Sequence, residues 1–248
     1  MTEEKRQRID KLLVEKGLVK SRVQALRLIE AGLVEIAGKT VAKPSQKYST
    51  DTEIVLTGDD PCRWVSRAGL KLEHAAAHFA CDFRGKTVLD IGASTGGFTE
   101  VALAGGAAHV YAVDVGTGQM DDTLRGLETV TVMEKTNARD LTPNMFTRAI
   151  DMVVCDASFI SLEKVLPAAL ALARQGAVLV ALIKPQFEAG KGNLGKGGIV
   201  KDTALQKEIC TRITAFLEDA GWTVRGLTDS PIEGGDGNKE FLICAEKR

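Results

Sequence analysis

Histidine is scarce in this chain, with three in 248 residues, and the five cysteines (Cys62, Cys81, Cys155, Cys210 and Cys244) are odd in number, widely spaced and never in a CxxC pair. That excludes a zinc ribbon and points to a reducing cytoplasm. Long hydrophobic runs are also lacking. The longest, Ala177 to Ile183, has seven residues, against the ~20 that a membrane helix needs. The opening stretch MTEEKRQRID contains no apolar signal core, so neither an integral membrane protein nor a secreted one is expected. Net charge is nearly absent at -1. What is present is the balance of an ordinary globular protein, 44% apolar and 26% charged, long enough for one large domain or for a small and a medium one, each with its own core.

The small net charge hides an asymmetry. Residues 5–47 hold eleven Lys/Arg against four acids, a net of +7, whereas residues 61–248 carry a net of -2. A basic module joined to a nearly neutral one is expected to meet a polyanion at its front end. Residues 6–17 and 21–31 carry apolar side chains at helical spacing, Ile9/Leu12/Leu13 and Val23/Leu26/Ile29, with Ser21 as N-cap and Gly17 and Gly32 as stops. LVEIAGKTV then alternates around Ala37-Gly38 as a tight hairpin, and DTEIVL (51–56) reads as a third strand. The unit SRVQALRLIEAGLVEIAGKTV resembles the S4 RNA-binding domain. That resemblance implies binding to structured RNA, with Lys20, Arg22, Arg27, Lys39 and Lys43 as the candidate RNA-binding residues and Lys47 beside them. A solvated basic helix face is the plainer alternative for the same charges.

The expected division is an S4-like domain at 1–58, a linker at 59–67 and a second domain at 68–248. The linker holds Trp64, an aromatic expected to pack against a domain. Ser66 can cap the helix AGLKLEHAAAHFAC. Beyond Gly85, strands are expected at Thr87–Ile91, His109–Asp114, Thr129–Glu134, Asp151–Cys155, Ala177–Ile183, Thr223–Asp229 and Glu240–Ala245. Helices are expected near 97–105, 161–175 and 203–220, with Pro167 interrupting the middle one. Buried strands alternating with helices predict a doubly wound α/β sheet of seven strands, Rossmann-like in its winding.

VLDIGASTGGFTE (Val88 to Glu100) is a buried strand, an acid, a glycine-rich turn and a helix start. In open α/β sheets such a turn lies at the carboxyl edge, where ligands bind. Its spacing is not the dinucleotide G-x-G-x-x-G, and Asp114, 24 residues after Asp90 at the end of the next strand, can accept hydrogen bonds from both ribose hydroxyls of an adenosine. The D-x-G-x-x-x-G-G run resembles motif I of S-adenosylmethionine-dependent methyltransferases. The resemblance implies that Asp90 stands near the cationic amino-acid end of that cofactor and that Gly92 and Gly96 line its path. Asp114 would hold the ribose and Asn137 the adenine edge, and Ser94, Gly97 and Phe98 of the same turn join the cofactor set.

Four polar residues occupy strand ends or a helix where an apolar core has no use for them: Lys71, Asp156 after DMVVC, Lys184 after AVLVALI, and Glu240 at the start of the last strand. Each alone can be a surface salt bridge. Together at one sheet edge they suit proton removal from a ribose 2′-hydroxyl, a weak nucleophile until deprotonated. Lys184 is the candidate base, Lys71 the ammonium that disfavours its charged form, Asp156 its orienting acid, and Glu240 the residue fixing the lysines or the ribose.

This Lys-Asp-Lys-Glu order resembles the tetrad of FtsJ-type RNA 2′-O-methyltransferases. With SRAGLKLEHA, DASFISL, KPQFEAGK and NKEFL, the chain is similar over nearly its full length to the TlyA family, often called haemolysin. The resemblance implies methylation of cytidine ribose in ribosomal RNA within ribosomal subunits, with S-adenosyl-L-methionine as cofactor. No metal, no membrane, no stable protein partner and a cytoplasmic location are expected. The loop GKGNLGKGG (190–198) reads either as an ordinary flexible loop or as a lid over RNA. Two other classes compete: a membrane-active cytolysin, for which no apolar span, insertion helix or export signal is visible, and an RNA-binding protein whose methyltransferase fold is silent.

Overall fold

A computed structural model describes residues 6–19, 21–58, 63–234 and 237–248. The chain divides into two compact units, Met1–Ser66 and Arg67–Arg248.

The first unit opens with β1 (Arg6–Arg8) and α1 (Ile9–Glu15), followed by α2 (Arg22–Glu30), β2 (Val34–Ile36), β3 (Lys39–Thr40), β4 (Lys47–Ser49) and β5 (Val55–Leu56). Its core holds Ile9, Leu12, Leu13 and Ile29 as the spacing predicts, but on α2 Ala25 and Leu28 are buried where the spacing predicts Leu26, which is only partly covered; Val34 and Val41 close it. Ser21 caps α2, accepting from the Gln24 N–H at 3.2 Å. Two expectations are corrected. Residues 6–8 do not begin the first helix but pair antiparallel with Lys47–Ser49, because the chain there is still extended and Arg8 sits outside the helix. The third strand of the hairpin sheet is only Val55–Leu56, paired with Val34–Glu35, since the run from Thr50 to Ile54 is turn and irregular chain.

The second unit runs α3 (Ala68–His78), β6 (Thr87–Ile91), α4 (Gly97–Ala104), β7 (His109–Val113), α5 (Asp122–Arg125), β8 (Val130–Met133) and β9 (Ile150–Cys155). It continues through α6 (Leu162–Val165), α7 (Pro167–Leu172), β10 (Ala173–Ile183), α8 (Pro185–Glu188), α9 (Thr203–Asp219), β11 (Trp222–Asp229) and β12 (Phe241–Lys247). The seven strands lie in the order β11-β12-β10-β9-β6-β7-β8. All are parallel except β12, which is antiparallel to both its neighbours. β6 and β7 are buried at every residue, as a parallel sheet covered on both faces requires. α9 shows how a helix covers it: Asp202 caps its start, accepting from Ala204 N–H at 2.8 Å, and Ile209, Ile213 and Leu217 at four-residue spacing press into the sheet core beside Trp222.

Several boundaries differ from the expectations, among them Glu240, which precedes β12 rather than opening it. Arg67, with helical backbone and no side-chain cap, occupies the N-cap position of α3 in place of Ser66. Pro167 ends one helix and starts another, since its ring fits a first turn but not an interior. The helix expected to 175 stops at Leu172, and β10 begins at Ala173, paired with Ile150 ahead of an irregularity that resets the register at Val178. Among the described residues, no helix is long and apolar enough to cross a membrane.

Strand order reverses between β6 and β9, which follow each other in space but not in sequence. The chain fans outward from β6 through β7 to β8, then returns to β9 on the other side. Their carboxyl ends form the switch point of the sheet, where ligands bind in this architecture. The Asp156 N–H donates to the Ile91 carbonyl at 3.0 Å, so the first residues beyond β6 and β9 are held side by side.

Candidate active site

The glycine turn after β6 is shaped by two close approaches. Gly92 has φ +76, and a Cβ there would lie 2.8 Å from Ala157 Cα. Gly96 has φ +97 and sits against Leu124 and Met120, where a Cβ would overlap both side chains. Glycine therefore lets the turn pack against the segment after β9 and start α4 with a left-handed cap. Asp114, just past β7, accepts from the Ser94 N–H at 2.9 Å and the Gly116 N–H at 2.7 Å, which ties two loops to one carboxylate.

These loops enclose a cavity of about 480 Å³ at the switch point, lined among others by Gly92, Ser94, Asp114, Asn137, Asp156 and Ser158. It has the size of a small-molecule site. Of the residues expected to hold a cofactor, Gly92, Ser94, Asp114 and Asn137 line it. The others stand behind it. Gly96 and Gly97 form the helix start, and Phe98, expected in the cofactor set, is 2% exposed and does not line the cavity. Asn137 Oδ1 accepts from the Arg139 N–H at 3.1 Å, so its oxygen caps a short turn and only its amide N–H₂ remains to face a ligand.

Asp90 is completely buried. Its Oδ2 accepts from the Thr99 hydroxyl at 2.7 Å, while Oδ1 has no hydrogen-bond partner. Burial pushes its carboxyl up to about 7, the Thr99 hydrogen bond opposes that rise, and the negative charge of Asp156 adds to it. A buried carboxyl with an unpartnered oxygen behind a cavity suits a cationic ligand. S-adenosylmethionine, whose charged end resides in its amino acid and sulfonium, fits this donor set.

The quartet forms two ion pairs. Lys184, directly after β10 and only 7% exposed, brings Nζ to 2.6 Å from Asp156 Oδ1, and it donates to the Asp156 carbonyl at 3.1 Å and to Ser158 Oγ at 2.9 Å. The Oδ1 contact is a charge contact without an aligned hydrogen bond. Lys71, on the buried face of α3, donates to Glu240 Oε2 at 2.6 Å, with both side chains covered. The idea that Lys71 acts on Lys184 as a bare positive charge is corrected, since an ammonium in contact with a carboxylate presents little net charge to a third group. Thr99, Ser158 and Arg139 were not anticipated. Only Thr99 left a signal, a polar residue on the apolar face of α4.

Residues 64–247 match the family model described as FtsJ-like methyltransferase, and residues 7–54 match the S4 domain. The chain belongs to the FtsJ-like methyltransferase family. Over 96% of its length and 89% of the relative's it is 46% identical to a Mycobacterium tuberculosis protein named 16S/23S rRNA (cytidine-2'-O)-methyltransferase TlyA. A Brachyspira hyodysenteriae relative, 39% identical over 95% of this chain and 98% of its own, is named Hemolysin A. Among solved structures, a haemolysin-named protein from Streptococcus thermophilus is 44% identical, covers 98% of this chain and 89% of its own, and superposes with a TM-score of 0.78. This FtsJ-like methyltransferase therefore shares one fold with relatives carrying either name, and that fold is the one used by S-adenosylmethionine-dependent enzymes.

In the S4 unit, Lys39, Lys43 and Lys47 are exposed, and Lys20 lies outside the described residues. Arg22 is exposed but pairs with the fully buried Asp10 at 2.7 Å, and Arg8 pairs with the same carboxylate at 3.0 Å. Arg27 is 8% exposed and donates to the Val65 carbonyl at 3.0 Å, so its guanidinium serves the unit's own packing and is not carried forward as a phosphate contact. Trp64 is half-buried, with the Arg63 guanidinium 4.7 Å over its ring.

Proposed function

We propose that this FtsJ-like methyltransferase transfers a methyl group from S-adenosyl-L-methionine to the ribose 2′-hydroxyl of cytidine in ribosomal RNA, in the cytoplasm, with the S4 unit docking the RNA. The observation that carries the reading is Asp156, which lines the cavity and touches Lys184 Nζ at 2.6 Å. The cavity and the base candidate thus share one residue.

S-adenosylmethionine, when bound, supplies a methyl group made electrophilic by its sulfonium. The work of the chain is to present a hydroxyl to that methyl and take its proton. Lys184 Nζ would accept the 2′-hydroxyl proton as that oxygen takes the methyl group, the C–S electrons staying with sulfur. Asp156 holds Nζ at the cavity rim and Glu240 holds Lys71, whose remaining N–H donors face charge developing on the oxygen. Asp114 takes the ribose of the cofactor, and Asp90, from behind the turn, offsets its positive charge. Exposed Lys39, Lys43 and Lys47 suit phosphate contacts that position the RNA without reading its bases.

The reading is supported by the S4 match, by the family match and by the relative whose name specifies cytidine 2′-O-methylation of 16S and 23S rRNA. Incubating the protein with methyl-labelled S-adenosylmethionine and unmodified 30S and 50S subunits tests it. Label in the RNA of either subunit supports the assignment, and absence of transfer to both contradicts it.

A further inference from the structure

Ser158 lies two residues beyond Asp156, on the segment that packs against Gly92 and lines the cavity. It is exposed, yet its Oγ is a hydrogen-bond partner of a lysine that is itself buried. The next residue, Phe159, holds φ at +65, in the left-handed region, and is 90% exposed. The Phe159 ring lies 5.0 Å from that of Phe187 on α8, three residues beyond Lys184. The turn that carries Ser158 and the element that follows Lys184 are therefore in contact at two points.

We infer that Ser158 is the positioning residue that aims the reactive electron pair of Lys184, an inference that rests on Lys184 being the proton acceptor. A neutral amine has two N–H donors and one lone pair. The oxygens around Nζ are the Asp156 carboxylate, the Asp156 carbonyl and the Ser158 hydroxyl. Two of them can only accept, and the hydroxyl alone can also donate. In the structure Nζ donates to the Asp156 carbonyl and to Ser158 Oγ, while the Oδ1 contact carries charge alone. When the amine gives up a proton, the Ser158 hydroxyl is the one of these neighbours that can turn from accepting to donating, which keeps the lone pair on the exposed side that borders the cavity. A ribose hydroxyl arriving there displaces the Ser158 O–H and takes the lone pair that Ser158 has aimed. Its O–H bond breaks as N–H forms, its oxygen bonds to the methyl carbon, and the C–S bond breaks with its electrons on sulfur. Ser158 then rotates so that its Oγ accepts from the new ammonium across the same 2.9 Å contact with Nζ. Its hydroxyl serves both protonation states without moving a heavy atom.

The test compares full-length Ser158→Ala, Ser158→Thr and Lys184→Ala with the parent, using methyl transfer to unmodified subunits and calorimetric S-adenosylmethionine binding. Ser158→Ala is expected to lower kcat about tenfold, the loss of one hydrogen bond to a charged group at the reacting atom. The KM values and cofactor Kd should stay within about twofold, and Ser158→Thr should recover most of kcat because it keeps the hydroxyl. Parental kcat in Ser158→Ala, with Lys184→Ala inactive, would overturn the role of Ser158 and leave Lys184 as base. A loss confined to KM or cofactor Kd, or a Thr variant as slow as the Ala variant, would also overturn it, since either makes Ser158 a cavity wall. Parental turnover in Lys184→Ala would remove the base assignment and this inference together.

Discussion

Replacing Asp90 by Asn should change how stability depends on pH more than it changes stability itself. The carboxyl is completely buried and is held up to about 7 by that burial. In the unfolded chain it titrates near 3.8. Between those two values the native state binds the proton and the unfolded state does not, so the group's contribution to folding falls as pH rises and is fully lost above about 7. A shift of this size corresponds to about 4 kcal/mol, of which roughly half falls between pH 5 and pH 7. Asn keeps an oxygen to accept from Thr99 but cannot ionise, so its stability lacks this slope. The assay is urea unfolding without cofactor at pH 5 and pH 8. A Trp64→Phe background leaves Trp222, fully buried in the second unit, as the one remaining tryptophan. The parent should lose about 2–3 kcal/mol more than the Asn variant on going from pH 5 to pH 8. Calorimetry near pH 6.5 in buffers of different ionisation enthalpy should show proton release when S-adenosylmethionine binds the parent, and none for Asp90→Asn. Equal pH slopes in the two proteins would refute the buried, proton-holding carboxyl.

Lys184→Ala should abolish methyl transfer while calorimetric cofactor binding persists, because Lys184 touches Asp156 and Ser158 at the cavity rim without lining the cavity itself. Gly92→Ala should lower stability by about 2–4 kcal/mol in denaturant titration, since a Cβ at φ +76 meets the Ala157 backbone. Lys39→Ala with Lys43→Ala should weaken subunit binding and flatten its salt dependence by about 0.7–0.9 per lost phosphate contact, measured by filter binding across salt concentrations. Arg22→Ala should cost stability at neutral pH through Asp10, whose carboxyl the Arg8 hydrogen bond, with Arg22, lowers to about 2. That difference is present above pH 4 and shrinks as pH falls toward 2, which acid titration of both proteins reads out.

The sheet was legible because β6, β7 and β9 are largely apolar runs with an acid near or just past the carboxyl end, Asp90 within β6, Asp114 after β7 and Asp156 after β9, a pattern that comes from burial on both faces of a parallel sheet. The pairing of Arg6–Arg8 with Lys47–Ser49 was not, because three polar residues carry no period and their partner lies some forty positions away. In the site, Asp90, Gly92 and Asp114 stood out by spacing. The division into residues that line the cavity and residues that stand behind it did not, since it depends on which way Phe98 and Asp90 turn after the tight loop. Arg27 misled for a related reason: a charge in a basic segment reads as surface, but its position on α2 carries the guanidinium inward to a backbone carbonyl. Ser158 had no signal at all, since a hydroxyl two residues beyond an acid becomes meaningful only once the segment after β9 curls back onto Lys184.

The most direct test of ribose methylation is where the label resides in the RNA. After reaction of unmodified 30S and 50S subunits with methyl-labelled S-adenosylmethionine, complete digestion and mass spectrometry of the nucleosides should place the label on 2′-O-methylcytidine. The adjoining phosphodiester bond should resist alkali, because its 2′-oxygen is no longer free to attack. Label on a cytosine ring or on another base, with the bond still alkali-labile, would contradict proton removal from a ribose hydroxyl by Lys184 and the account built upon it.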